Sequence, residues 1–170
     1  MLDMKIRDRM KKSCLLAGSH VEIRKSPASL LHDQPFRRNS MSFETTAIYA
    51  LPLGAIYLGL WMGVAKVRAE KKVSIGDNGD AALLLRIRRH GNFVEWVPMV
   101  LIMMLLAEGL GAPPVWLHIS GALLVLGRLA HPIGLKIDNA AHPLRYVGNS
   151  TNMLALLNAM VCVGVNLAGL

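Results

Sequence analysis

YVGNSTNMLALLNAMVCVGVNLAGL, residues 146–170, runs for twenty-five residues without one charged side chain. A helix needs about 20 apolar residues to cross a ~30 Å hydrocarbon core, and this stretch supplies them. Working backward, residues 115–135 hold only Arg128 and two histidines as ionisable groups. Residues 93–110 are apolar apart from Glu95 and Glu108, and residues 46–67 apart from one lysine. The blocks are continuous and rich in Leu, Ala and Met, which reads as helix and not as alternating strand. A soluble four-helix core would need a polar face on every helix, and the last block offers only asparagines and small residues. The expected fold is an all-α membrane protein, a four-transmembrane-helix bundle with helices at about 45–68, 82–110, 114–136 and 146–169.

The composition agrees. Apolar residues make up 53% of the 170-residue chain and charged residues 18%, and the mean hydropathy is +0.39. A disordered chain needs the opposite balance. The net charge of +8 resembles a nucleic-acid signal until it is divided, because +5 of it lies in residues 1–40. Nucleic acid is therefore not an expected partner; the lipid bilayer is. Residues 1–40 are polar and basic, with an apolar run at Cys14–Gly18 too short for a secretory signal and four acids that argue against a transit peptide. They read as a disordered basic extension or as sequence upstream of the real start at Met41, leaving residues 41–170 as the transmembrane domain.

Basic residues set the expected orientation. Lys66, Arg68, Lys71, Lys72, Arg86, Arg88 and Arg89 flank the first connection, and Lys136 and Arg145 flank the third. The second connection, GLGAPP at 109–114, carries no basic residue. The positive-inside rule then puts both termini outside the cytoplasm. Pro52, Pro98 and Pro132 fall inside helices, where a bilayer tolerates them. Gly59 and Gly63 form a small-residue pair, and Asn152, Asn158 and Asn166 are expected to hydrogen-bond between helices. Glu108, at the outer end of the second helix, reads as solvated.

The chemistry concentrates in RIRRHGNFVEWVP, residues 86–98. Arg88, Asn92 and Glu95 recur at i, i+4 and i+7, so one helical face carries a guanidinium, an amide and a carboxylate. A carboxylate one turn inside an apolar block needs a cation or donors. Arg128, with His131 one turn further along helix 3, is its obvious partner. Two readings stand side by side: an ion pair that holds helices together, and a polar pocket. Arg145 and Tyr146 open helix 4 at the level of Arg88. Guanidiniums bind carboxylates bidentately and stay charged when desolvated; one beside a thiol also stabilises the thiolate. The histidines lack metal-pair spacing and Cys162 joins none of them, so no metal site is expected.

Three elements in order resemble the MAPEG family, the membrane-associated proteins of eicosanoid and glutathione metabolism. The helix-2 pattern R-x-x-x-N-x-x-E-x-x-P reads here as Arg88, Asn92, Glu95 and Pro98. A G-R-x-x-H block reads as Gly127, Arg128 and His131, and a P-[LI]-R element as Pro143, Leu144 and Arg145. The resemblance covers residues ~45–170 and looks closest to small bacterial members. It implies a homotrimer of four-helix subunits in the inner membrane, with glutathione bound as co-substrate between subunits and a lipophilic small molecule as the second substrate. It further implies a glutathione transferase- or peroxidase-like activity, Arg145 as the thiolate-stabilising residue, and Arg88, Asn92, Glu95, His131, Arg128, His90 and Tyr146 as contacts or supports. Where relatives carry a tyrosine seven residues after the helix-3 arginine, this chain has Leu135. The alternative is a non-catalytic relative that binds another anionic ligand or serves structurally.

Overall fold

A computed structural model describes residues 42–169; the expectations for residues 1–40 lie outside them. Four helices follow in order: α1 Glu44–Lys71, α2 Ala81–Gly109, α3 Pro114–Gly134 and α4 Pro143–Leu167. No strand occurs among the described residues. Short connections make successive helices antiparallel neighbours. α3 and α4 share the most extensive seam, and α1 packs on α2 and α3 but not on α4.

Each helix starts where the chain supplies partners for its first free N–H groups. The Asp80 carboxylate accepts from the Leu83 amide at 2.9 Å and caps α2. Pro114 and Pro143 stand in the first turns of α3 and α4, where a missing N–H costs nothing. α1 has no local cap, since Phe43 precedes it. Glu108 supplies one from the end of α2. Its two carboxylate oxygens accept from the Thr45 and Thr46 amides at 2.8 and 2.9 Å. The expectation of a merely solvated Glu108 is thus corrected: a carboxylate beside a helix N-terminus meets both free donors and the positive end of the dipole. At the opposite end Lys71 pairs with Asp80 across the first connection.

α1, α2 and α4 are long and apolar enough to cross a membrane. α3, with 21 residues, is also long enough at about 31 Å, and its one charged side chain, Arg128, is buried inside the protein together with Ser120 and His131. The outward surface is greasy instead: Leu51, Leu58, Trp61, Leu126, Ile133 and Val161 are all at least half exposed. Water would penalise such a surface, whereas a bilayer accepts it. The core between the helices is built from Leu53, Phe93, Val97, Val100, Met104, Leu117, Leu124, Ala155 and Ala159.

Glycine lets α3 and α4 approach backbone to backbone. A Cβ added to Gly134 would overlap the Arg145 backbone, and one added to Gly148 would lie 2.7 Å from the His131 Cβ. At Gly127 it would meet the Asn152 and Thr151 side-chain oxygens at 2.5 Å. On the other side of α3, Gly121 makes room for the Tyr49 ring, whose hydroxyl lies 3.1 Å from His118 Nδ1. The Gly59/Gly63 pair does less than its spacing suggests. Gly63 sits against the Arg86 guanidinium and Gly59 faces open space. Of the three asparagines, only Asn158 bonds across helices, to the Trp116 carbonyl and Ser120 Oγ, both at 2.8 Å. Asn166 turns back to Cys162 O of its own helix. Asn152 is buried with neither amide atom paired among the described residues.

Gly134→Ala should therefore cost about 1–3 kcal/mol through overpacking of the seam. Gly164→Ala, with nothing within 4 Å of the added methyl, should be neutral or slightly stabilising. Thermal unfolding of the detergent-solubilised protein separates the two; equal melting temperatures would contradict the seam.

Candidate functional site

The α3–α4 seam leaves a cleft of about 300 Å³ at the end of the bundle formed by the first and third connections. α2 contributes Ala81, Leu84, Leu85, Arg88 and Asn92; the end of α3 and the connection after it contribute His131, Leu135 and Ile137; α4 contributes Arg145 and Asn149. Arg88 and Asn92 are one turn apart, as are Arg145 and Asn149, so each pair stacks on one helical face. The lining mixes cationic and amide side chains with the apolar Leu84, Leu85, Leu135 and Ile137.

The supporting contacts come from the same geometry. The His131 backbone packs against Gly148 and the Arg145 backbone against Gly134, so the glycine seam fixes the positions from which both side chains project. Arg145 Nη1 donates to Ala140 O at 3.1 Å in the third connection. Arg89 Nη2 donates to Leu135 O at 2.9 Å and ties α2 to the end of α3. Arg128 is 1% exposed and does not line the cleft. Its Nη1 donates to Asn92 O at 3.1 Å and to Asn92 Oδ1 at 2.8 Å. Its Nε and Nη2 have no partner among the described residues.

Four of the eight residues expected from the sequence, Arg88, Asn92, His131 and Arg145, thus converge on one cleft. The other four do not line it. The expected Arg128–Glu95 pairing is corrected, since Arg128 bonds Asn92 instead. Glu95 is exposed on the surface of the protomer. Its spacing from Arg88 keeps it on the same face, but seven residues carry it about 10 Å further along the axis, and it is not among the residues that line the cleft. His90 lies two residues from Arg88, which turns it about 200° around the helix. It packs on the Tyr57 ring of α1 with centroids 5.2 Å apart. Tyr146 follows Arg145 by one residue and turns outward, 59% exposed.

Asn149 was not among the expected residues. The signal was present, because it lies four residues after Arg145 on the same helix. The apolar lining residues gave no signal, since they look like any other leucine or isoleucine of a membrane span. Among the described residues no three His, Cys, Asp or Glu side chains gather as a metal site.

The cleft thus draws Arg88 and Asn92 from the helix-2 pattern, His131 from the helix-3 block and Arg145 from the element that opens α4. The MAPEG family model matches the chain over residues 46–165, all four helices almost end to end. The chain belongs to the MAPEG family. Among curated relatives it is 36% identical over 89 residues to the inner membrane protein YecN of Escherichia coli strain K12, covering 52% of this chain and 68% of that protein. YecN of Escherichia coli O6:H1 strain CFT073 matches to the same extent. No solved structure matches the chain. This MAPEG protein is an integral membrane protein, as its apolar helices require.

The Arg128–Asn92 contact links the buried guanidinium to the cleft, and it predicts an ordering of variants. Asn92→Leu leaves the Arg128 guanidinium without its side-chain acceptor and should lower stability by about 1–3 kcal/mol. Tyr146→Ala, on an exposed side chain, should stay within about 0.5 kcal/mol. Thermal unfolding in detergent checks both, and an Asn92→Leu protein as stable as the parent would contradict the contact.

Proposed function

We propose that this MAPEG protein binds glutathione in the cleft at the basic end of the bundle and presents its thiolate to a lipophilic electrophile that arrives through the bilayer. The observation that carries this reading is the convergence of Arg88, Asn92, His131 and Arg145 on one cleft that apolar side chains also line. Two guanidiniums suit a ligand with two carboxylates. Arg145, anchored by Ala140 O, is the residue assigned to stabilise the thiolate, which is the nucleophilic form of the thiol. In a transfer step the thiol proton goes to solvent, the sulfur–carbon bond forms, and the leaving group departs. In the peroxidase variant two glutathiones become a disulfide while a lipid hydroperoxide becomes an alcohol and water.

Arg88, Asn92 and His131 then seat the peptide, and Arg128 supports Asn92 from behind. Glu95 is a carboxylate on the outer surface of an apolar helix, a position that is expensive against lipid. We assign that surface to contact with a second copy of the chain in a homotrimer, which would bring Glu95 to the edge of a neighbour's site. The bacterial inner membrane, named for YecN, is the proposed location, with both termini outside the cytoplasm by the distribution of basic residues.

A second reading has one observation in its favour. Leu135 lines the cleft where family relatives carry a tyrosine, and Tyr146 faces outward. Fewer hydroxyls in the cleft suit a non-catalytic member that holds another anionic ligand.

Titration calorimetry of the detergent-purified protein with glutathione, followed by thiolate absorbance, decides between the two. The enzyme reading expects binding with a rise in thiolate, and a fall of about 10²–10³-fold in turnover of a hydrophobic electrophile for Arg145→Ala. Absence of glutathione binding would leave the second reading in its place.

A further inference from the structure

The end of the bundle opposite the basic cleft holds a second cavity, of about 400 Å³. α4 lines it with Asn158, Val161, Cys162, Val165 and Asn166, which recur at i, i+3, i+4, i+7 and i+8 on one helical face. Trp116 of α3 and the second connection supply the rest of the lining, and no charged side chain belongs to it. Val161 is 61% exposed and Trp116 49%, so the cavity opens on the greasy outer surface. Its two asparagines are turned the same way. Asn158 Nδ2 donates to the Trp116 carbonyl and to Ser120 Oγ, both at 2.8 Å. The Ser120 hydroxyl proton is itself directed to Ala155 O. Asn166 Nδ2 donates to the Cys162 carbonyl at 2.8 Å. A carbonyl only accepts, so each side chain presents its NH₂ to the protein and keeps its oxygen for another partner. Neither oxygen has a hydrogen-bond partner among the described residues. Neither is sealed in, unlike the oxygens of Asn149 and Asn152.

We infer that this cavity is a binding site for an uncharged lipophilic alcohol drawn from the bilayer, whose hydroxyl donates to Asn158 Oδ1 while its chain lies along Val161, Cys162 and Val165. Three observations select that chemistry. An available carboxamide oxygen calls for a donor, and a hydroxyl is one. A lining without charge disfavours a carboxylate, a phosphate or an ammonium, each of which loses its hydration there with nothing to replace it. The apolar residues between the asparagines suit a hydrocarbon chain. Asn158 is the anchor because it lies eight residues, about 12 Å, deeper than Asn166. Water reaches an acceptor at the end of a span, whereas one inside the hydrocarbon needs a partner. Asn158 is also thirteen residues from Arg145, about 20 Å along α4. The site is therefore separate from the basic cleft, and the inference does not depend on the proposed function.

The test uses the full chain in dimethylamine-oxide micelles, a detergent without hydroxyl groups, with Trp61→Phe and Trp96→Phe so that Trp116 is the one tryptophan. Bromine quenches indole fluorescence on contact, so three brominated probes are titrated: 11-bromoundecan-1-ol, its methyl ether (an acceptor without a donor) and 11-bromoundecanoate (charged). The alcohol should quench Trp116 saturably, and unbrominated undecan-1-ol should displace it. The ether and the carboxylate should bind about three- to tenfold more weakly, the worth of one hydrogen bond. Asn158→Leu should bring the alcohol down to the level of the ether, Val165→Phe should fill the cavity and abolish saturation, and Asn166→Leu should leave the alcohol unchanged. Equal quenching by alcohol and ether in the parent overturns the inference, as does alcohol binding that survives Asn158→Leu or Val165→Phe. Asn158 also ties α4 to α3, so its variant can fail to fold; the alcohol–ether comparison in the parent and the Val165→Phe variant then decide by themselves.

Discussion

A guanidinium cannot sit against hydrocarbon without a partner, and Arg128 lies in the middle of a bundle whose outer surface is hydrocarbon-like. This constraint orders the rest of the structure. α3 has to turn one face inward, because that face carries Arg128, His131 and Ser120, all buried. α2 has to present Asn92 to it, because Asn92 supplies two acceptors for the same Nη1. α1 and the outer faces of α2, α3 and α4 then carry the large apolar side chains that meet the bilayer.

Close approach is the second requirement. Van der Waals packing and hydrogen bonds associate helices in lipid, since apolar side chains gain little by leaving one hydrocarbon phase for another. Gly127, Gly134 and Gly148 bring α3 and α4 together at the points where His131 and Arg145 emerge. Packing and site are therefore one arrangement: the seam that holds the two helices also aims the histidine and the arginine into the cleft. At the far end Glu108 performs a similar double task, closing α2 onto α1 and satisfying the first amides of α1.

Much of the fold was legible because a bilayer imposes a one-dimensional rule. Long apolar runs such as residues 146–170 can do little else than span, and polar breaks mark where the chain turns. The candidate site was half legible. Arg88, Asn92, His131 and Arg145 stood out because polar groups in apolar helices are conspicuous. Glu95 was conspicuous for the same reason, yet helical spacing reports the face and not the depth at which a cleft ends. Arg128 and Glu95 looked complementary by charge, but pairing depends on which helices are neighbours at that level, and there Arg128 met an amide. Asn149 passed unnoticed because a single asparagine in a helix resembles its neighbours Asn152 and Asn158.

Length and hydropathy alone settled the all-helical bundle, the membrane as its solvent, and the end at which cationic groups gather. Those properties follow from summed local terms, each residue's transfer energy and its place in a 3.6-residue repeat. Tertiary structure alone decided that Arg128 holds Asn92, that Glu108 caps α1, and that leucines line the cleft beside Arg145. These depend on which side chains meet across helices, and such meetings are set by close packing at small residues, where a single Cβ changes the approach.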